Sequence, residues 1–247
     1  GTVHLLEAIR QSDQRCACVV ITTDKCYENK EWLHAYREED PMGGHDPYSA
    51  SKGCAELVVS AYRNSYFADC DRVRLASARA GNVIGGGDWA KDRIVPDVFR
   101  ALQAGQAVPV RNKHATRPWQ HVLEPLSGYL TLGANLLADR PFVSAPVQSL
   151  CSAFNFGPNL LSNKTVLELV QTILKHKEGH WIDCSDPRAV HEASRLNLAI
   201  DKAHHLLHWR PRWDFDKTIE MTVAWYVGSR SRDIVELTQN QIADYCS

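Results

Sequence analysis

Two short stretches carry side chains that could move protons together. The first is Thr22-Thr23-Asp24-Lys25, at the end of the apolar run Cys18-Val19-Val20-Ile21, which reads as a buried strand. The second is Tyr48-Ser49-Ala50-Ser51-Lys52. It opens a segment with helical spacing, so Tyr48 and Lys52 lie one turn apart on one face. A tyrosine hydroxyl by itself titrates near pH 10, and an ammonium held against it favours the phenolate. The spacing therefore points to Tyr48 as a base or acid near neutral pH. Thr23 and Asp24, at the end of a neighbouring strand, would face the same crevice.

The elements that must position these residues follow from the hydrophobic pattern. Residues 2–11 read as a helix, then comes the strand to Ile21. Residues 29–46 are charged and rich in turn formers (Pro41, Gly43, Gly44) and form a long surface loop, a kind usually kept for function. The helix from Tyr48 turns Ala55, Val58, Val59 and Tyr62 inward. Val73 to Arg79 is a strand ending at Gly81-Asn82. Further helices are expected around Ile94–Leu102, 122–137, 165–176, 201–207 and, last, 216–226, with short strands at 108–110, 153–156 and 180–184. Strands alternating with helices mean a parallel sheet covered on both faces. Ligands of such sheets sit beyond the carboxyl ends of the strands, where Thr23-Asp24 and Gly81-Asn82 both fall.

Composition narrows the function classes. With 28 basic and 29 acidic residues in 247, bulk charge favours neither nucleic acid nor a membrane surface as partner. No apolar run approaches a membrane span, and no signal peptide is evident. The eight cysteines are scattered without a C-x-x-C pair, so they read as reduced and the setting as cytoplasmic. Gly157 followed by Lys164-Thr165 lacks the second glycine of a phosphate loop and has its lysine one position late. His204 and His208 share helical spacing but have no third metal ligand, so no metal is expected.

The joint pattern is a strand ending Thr-Asp, a loop, Pro-Tyr-Ser-Ala-Ser-Lys-Gly, then a strand ending Arg-Ala-Gly-Asn-Val. It resembles the extended short-chain dehydrogenase/reductase superfamily, and within it the nucleotide-sugar 4,6-dehydratases. Residues 23–29 (TDKCYEN), 81–89 (GNVIGGGDW) and 117–122 (RPWQHV) are similar to the branch that acts on CDP-glucose. The resemblance runs essentially the length of the chain.

It implies an α/β fold, a Rossmann-type parallel sheet that binds NAD with a smaller α/β C-terminal substrate domain. Residues 1–84 and 119–158 would belong to the former, and 85–118 and 159–247 to the latter. It implies Tyr48, Lys52 and Thr22 as cofactor contacts and Thr23, Asp24, Lys25, Tyr48 and Lys52 as catalytic residues. Asn82, Arg93, Arg117, His121 and His191 would join Thr23 on the nucleotide-sugar, with packing as the other reading of the two histidines. Family members pair as homodimers through cofactor-domain helices, including the one starting at Tyr48. The family's G-x-x-G-x-x-G loop is not in this sequence, so the first βα units are expected to be missing. Two other readings stay open: an epimerase or decarboxylase of the same superfamily, and a fragment that binds a nucleotide-sugar without turning it over.

Overall fold

A computed structural model describes residues 1–185 and 196–247; His191, expected among the substrate contacts, lies outside the described residues. In chain order the first elements are α1 (Thr2–Gln11), β1 (Cys16–Ile21), α2 (Pro47–Ser65), β2 (Val73–Arg79), β3 (Val83–Ile84) and α3 (Ile94–Gln103). Then come β4 (Val108–Val110), β5 (Thr116–Pro118), β6 (Gln120–His121), α4 (Leu123–Leu137), α5 (Val147–Leu150) and β7 (Ala153–Asn155). The last are β8 (Asn163–Thr165), α6 (Val166–His176), β9 (Trp181–Asp183), α7 (Asp201–Leu207), α8 (Phe215–Gly228) and α9 (Ile234–Cys246).

The chain divides into two compact units. The first comprises Gly1–Gly81, Pro125–Gly157 and Leu196–Arg210. Its sheet has the order β1-β2-β7 with every pairing parallel, and Val20 lies beside Ser77 and Arg79 beside Asn155. Strand residues alternate between two faces. Cys18, Val20, Val73 and Leu75 pack with Leu6 of α1 and Val59 of α2. Ala17, Val19, Ala76 and Ala78 pack with Leu132 and Leu136 of α4 and Ala203 and Leu207 of α7. The sheet is thus covered on both faces, as the alternation of strands and helices predicts.

The second unit comprises Asn82–Glu124 and Pro211–Ser247, with residues 158–185 described between them. It holds two-stranded ladders, parallel for β3–β6 and β4–β9 and antiparallel for β5–β8. Its core joins Val95 and Phe99 of α3, Val170 and Ile173 of α6, and Ile219 and Tyr226 of α8. The Phe99 and Tyr226 rings stack at 4.0 Å. Thr165 caps α6 through a reciprocal box with Glu168, which accounts for Lys164-Thr165 without any phosphate.

Three sequence expectations differ from the structure, the first being that residues 82–84 and 119–124 fall in the second unit and not the first. Residues 196–210 pack with the first unit, not with the C-terminal one. Trp209 in particular lies edge-on to Phe156 at 5.0 Å and donates to Ser127 Oγ at 2.8 Å. The helix at 216–226 is not the last, because α9 follows it with Asp233 accepting from the Val235 and Glu236 backbone N–H groups. The buried positions of α9 are Leu237, Gln241 and Tyr245. A glutamine in the middle of that stripe removes the apolar period by which a helix is recognised.

Candidate active site

The carboxyl end of β1 is extended by backbone bonds to the next strand. Thr22 N–H donates to Ala78 O at 2.9 Å and Asp24 N–H to Ala80 O at 3.1 Å. The chain then closes a single 3-10 turn, Asp24–Cys26, capped by Thr23 Oγ1, which accepts from Lys25 N at 3.3 Å. The same hydroxyl donates to Asp24 Oδ1 at 2.9 Å. Asp24 is 4% exposed, and its carboxylate occupies space that only a glycine at position 81 leaves free. A Cβ on Gly81 would lie 1.8 Å from Asp24 Oδ2. Lys25, by contrast, is exposed.

Helix α2 brings the second set. Asp46 caps it, accepting from Ser49 N at 3.0 Å and Ser49 Oγ at 2.5 Å, and Pro47 takes the first position, where a missing N–H costs nothing. The Ser49 hydroxyl and N–H hold the Asp46 carboxyl below its ordinary range, with the Lys25 charge a lesser contributor. Tyr48 is 52% exposed, and Lys52 Nζ stands 5.9 Å from the centre of its ring. Gly53 of α2 faces the 3-10 turn, a Cβ there lying in ordinary contact with Cys26 O at 3.4 Å. Thr23, Asp24, Lys25, Tyr48 and Lys52 therefore share one end of the first unit, at the carboxyl end of a parallel strand.

Beneath them lies a buried polar network that the apolar pattern did not reveal. Glu56 accepts from the Thr22 hydroxyl, from Ser77 Oγ at 2.7 Å and from Arg79 Nη2 at 2.9 Å. Arg79 Nη1 also donates to Tyr27 OH at 2.6 Å and to Glu38 O at 3.0 Å. Tyr27 OH donates to Asn155 Oδ1 at 2.8 Å. Burial pushes the Glu56 carboxyl up, but the Arg79 contact and the two hydroxyls outweigh it and hold the group below its ordinary range. Burial likewise opposes the Arg79 charge and is outweighed by Glu56, so its net shift is upward. Thr22, expected at the cofactor, spends its proton on this network. A signal was present in the sequence: the face of β2 that reads Val73, Leu75 continues as Ser77, Arg79.

The remaining candidates belong to the second unit. Asn82 has φ 51°, a left-handed conformation that asparagine tolerates better than most residues, and its C=O accepts from Gln120 N at 3.3 Å. Arg93 is largely exposed and pairs with Asp88 at 3.0 Å. Arg117, on β5, donates from Nη1 to Thr116 O at 2.9 Å. His121 is only 1% exposed and sits edge-on to Trp213 at 4.8 Å. Its Nδ1 accepts from Leu123 N at 3.3 Å, and burial pushes the imidazole down to about 4. Gly86 and Gly87 lie against Trp225, a Cβ on Gly86 falling 2.0 Å from the indole, while Gly85 faces Val122, and the Tyr226 hydroxyl donates to Asp88 O.

A parallel sheet covered on both faces by helices, with a Tyr-x-x-x-Lys helix and a Thr-Asp strand end at its carboxyl edge, defines a Rossmann-like α/β fold. The comparisons agree: a family model described as GDP-mannose 4,6 dehydratase matches residues 1–222, and the chain belongs to that family. It is 46% identical to CDP-glucose 4,6-dehydratase of Salmonella typhimurium, over all of this chain and 68% of that protein. It is 27% identical to dTDP-glucose 4,6-dehydratase of Streptomyces griseus, over 94% of this chain and 64% of that protein. A solved structure of a dTDP-glucose 4,6-dehydratase double mutant from Streptomyces venezuelae, with NAD bound, aligns at a TM-score of 0.74 and 23% identity. That alignment covers 93% of this chain and 65% of that one, and it shows the shared Rossmann-like fold.

Proposed function

We propose that the protein dehydrates a nucleotide-hexose, CDP-glucose, to the 4-keto-6-deoxy sugar. The observation that carries the reading is the Asp24 carboxylate, buried at a strand end, bonded to Thr23 and accommodated by Gly81. An acid there serves a reaction that expels a hydroxyl; an epimerase or decarboxylase has no use for it. The 46% identity to a CDP-glucose 4,6-dehydratase supports both the reaction and the nucleotide.

The residues present fit one end of NAD. Tyr48 and Lys52 offer a hydroxyl and an ammonium one turn apart, one of them half open to solvent, a donor set suited to the hydroxyls of a ribose. When bound, NAD supplies a hydride acceptor that later returns the hydride. Tyr48 takes the proton of the carbon 4 hydroxyl, with the Lys52 ammonium 5.9 Å from the centre of its ring. Thr23 orients the carbon 4 oxygen, Asp24 in its protonated, neutral form gives its proton to the hydroxyl leaving carbon 6 as water, and Lys25 acts at carbon 5. A lysine removes the carbon 5 proton as a neutral base; as a cation it instead stabilises the enolate, and the proton passes to solvent water. Asn82, Arg93 and Arg117 supply the substrate contacts, the two arginines suiting a diphosphate by their planar forks.

Exposed apolar side chains on α1 (Val3, Leu5) and α2 (Leu57) support a homodimer through these helices, and a monomeric sedimentation mass of the full-length protein would refute it. No described helix is long and apolar enough to cross a membrane, and we place the activity in the cytoplasm. The test of function is incubation of the full-length protein with CDP-glucose, read by the alkali-induced absorbance of a 4-keto sugar. Signal only with another nucleotide-sugar would overturn the substrate, and no signal with any would overturn the reaction.

A further inference from the structure

We propose that the buried Glu56–Arg79 ion pair is a positioning device that sets the two catalytic segments of the first unit in register, a proposal that rests on the dehydration reading above. The pair touches both ends of the catalytic turn. Glu56 takes the hydroxyl of Thr22, just before Thr23, and Arg79 holds the phenol of Tyr27, just after Cys26. The turn Thr23–Cys26 is therefore clamped on either side by one salt bridge of 2.9 Å. Glu56 is also the third member of a series, Tyr48, Lys52 and Glu56, spaced four residues apart along one face of α2. Sliding α2 by a single residue rotates that face by about 100° and breaks every bond Glu56 makes.

Stability alone is a poor reason for such a pair. Two ions at 3% and 4% exposure are expensive to desolvate, and apolar side chains of similar volume usually hold a core as well or better. Apolar packing lacks direction, however. Hydrogen bonds to Thr22, Ser77, Tyr27 and the Glu38 carbonyl fix orientation as well as distance. Placement to within a fraction of an ångström is what reacting groups require.

The test compares two variants of the full-length, cofactor-loaded enzyme at a temperature where circular dichroism shows both folded. The first combines Glu56→Leu with Arg79→Met, which removes both charges of the pair together. The second, Val59→Ala, cuts a fully buried side chain from the same helix. The charge-free variant is expected to lose about 10- to 100-fold in kcat with KM within roughly threefold of the parent. Val59→Ala is expected to lower Tm and leave kcat unchanged. Independently of turnover, the amides of Cys26 and Tyr27, which close the turn, should exchange faster in the charge-free variant than in Val59→Ala, relative to the β1–β2 ladder.

An unchanged kcat, an equal loss in Val59→Ala, or acceleration spread evenly over the unit would each overturn the proposal. Should the double variant be unfolded, Arg79→Lys replaces it. It keeps the charge beside Glu56 but drops the bonds to Tyr27 and Glu38, so it must also lose kcat, and a parental kcat overturns the idea. If the parent dehydrates no nucleotide-sugar, the functional reading fails while amide exchange still decides the clamp.

Discussion

Gly81→Ala places one methyl group against the proposed acid. The new Cβ would fall 1.8 Å from Asp24 Oδ2 and 2.2 Å from its Cγ, far inside contact distance. A comfortable separation requires the carboxylate to retreat by on the order of 1.5 Å. Asp24 can swing its short side chain away at an off-rotamer cost of about 0.5–1.5 kcal/mol, losing its 2.9 Å bond from Thr23 Oγ1. The stability change should therefore be modest, a Tm drop of roughly 2–6 °C for a chain of this size. A displacement of that length at a reacting group costs about 100-fold in rate. The assay is formation of the 4-keto sugar at saturating nucleotide-sugar, beside a thermal melt. Gly128→Ala is the control, since its Cβ would strike the fully buried Phe156 ring at 2.2 Å. It should cost about 1–3 kcal/mol through overpacking and leave turnover per folded molecule intact. If Gly81→Ala keeps kcat within about threefold of the parent, Asp24 is not the acid that the chemistry needs.

Other outcomes follow from single contacts. His121 is held at about 4 by burial, against 6.5 for an unfolded histidine, so its contribution to stability is complete above pH 6.5 and declines as pH falls to 4. The loss should be on the order of 3 kcal/mol, and melts at pH 7 and 4.5 should show a smaller acid sensitivity in His121→Asn. Lys25→Gln should abolish exchange of the carbon 5 proton with solvent if Lys25 is the base; unimpaired exchange would leave it only the electrostatic role. Glu124 accepts from the Arg212 and Trp213 N–H groups and, at 2.7 Å, from the Tyr245 hydroxyl. Glu124→Ala leaves these donors without that acceptor at a cost of about 1–3 kcal/mol each, and urea melts should show it. A loss below about 1 kcal/mol in total would mean water substitutes for the carboxylate.

Much of the fold was legible because the first unit obeys simple periods. The α2 face with Val58, Val59 and Tyr62, the β2 run Val73 to Arg79 and the α7 span 201–207 all emerge from spacing alone. The helix α9 did not, because Gln241 interrupts its buried stripe. The membership of 196–210 did not either, since a short helix ending at Trp209 carries no mark of which core its indole will enter.

The candidate site divides the same way. Residue types and spacing by themselves pointed to groups that could move protons: Tyr48 and Lys52 one helical turn apart, and a threonine and an acid where a strand ends. Those are local facts, set by the 3.6-residue period and by strand length. Only the tertiary structure decided which charges are buried and what they hold. Glu56 sits on α2 and Arg79 on β2, 23 residues apart in sequence, and meet in the core at 2.9 Å. The Thr22 hydroxyl donates to that pair, and the missing side chain of Gly81 leaves the space that Asp24 fills. Such pairings depend on how a helix lies across a sheet, a non-local arrangement that no window of sequence contains.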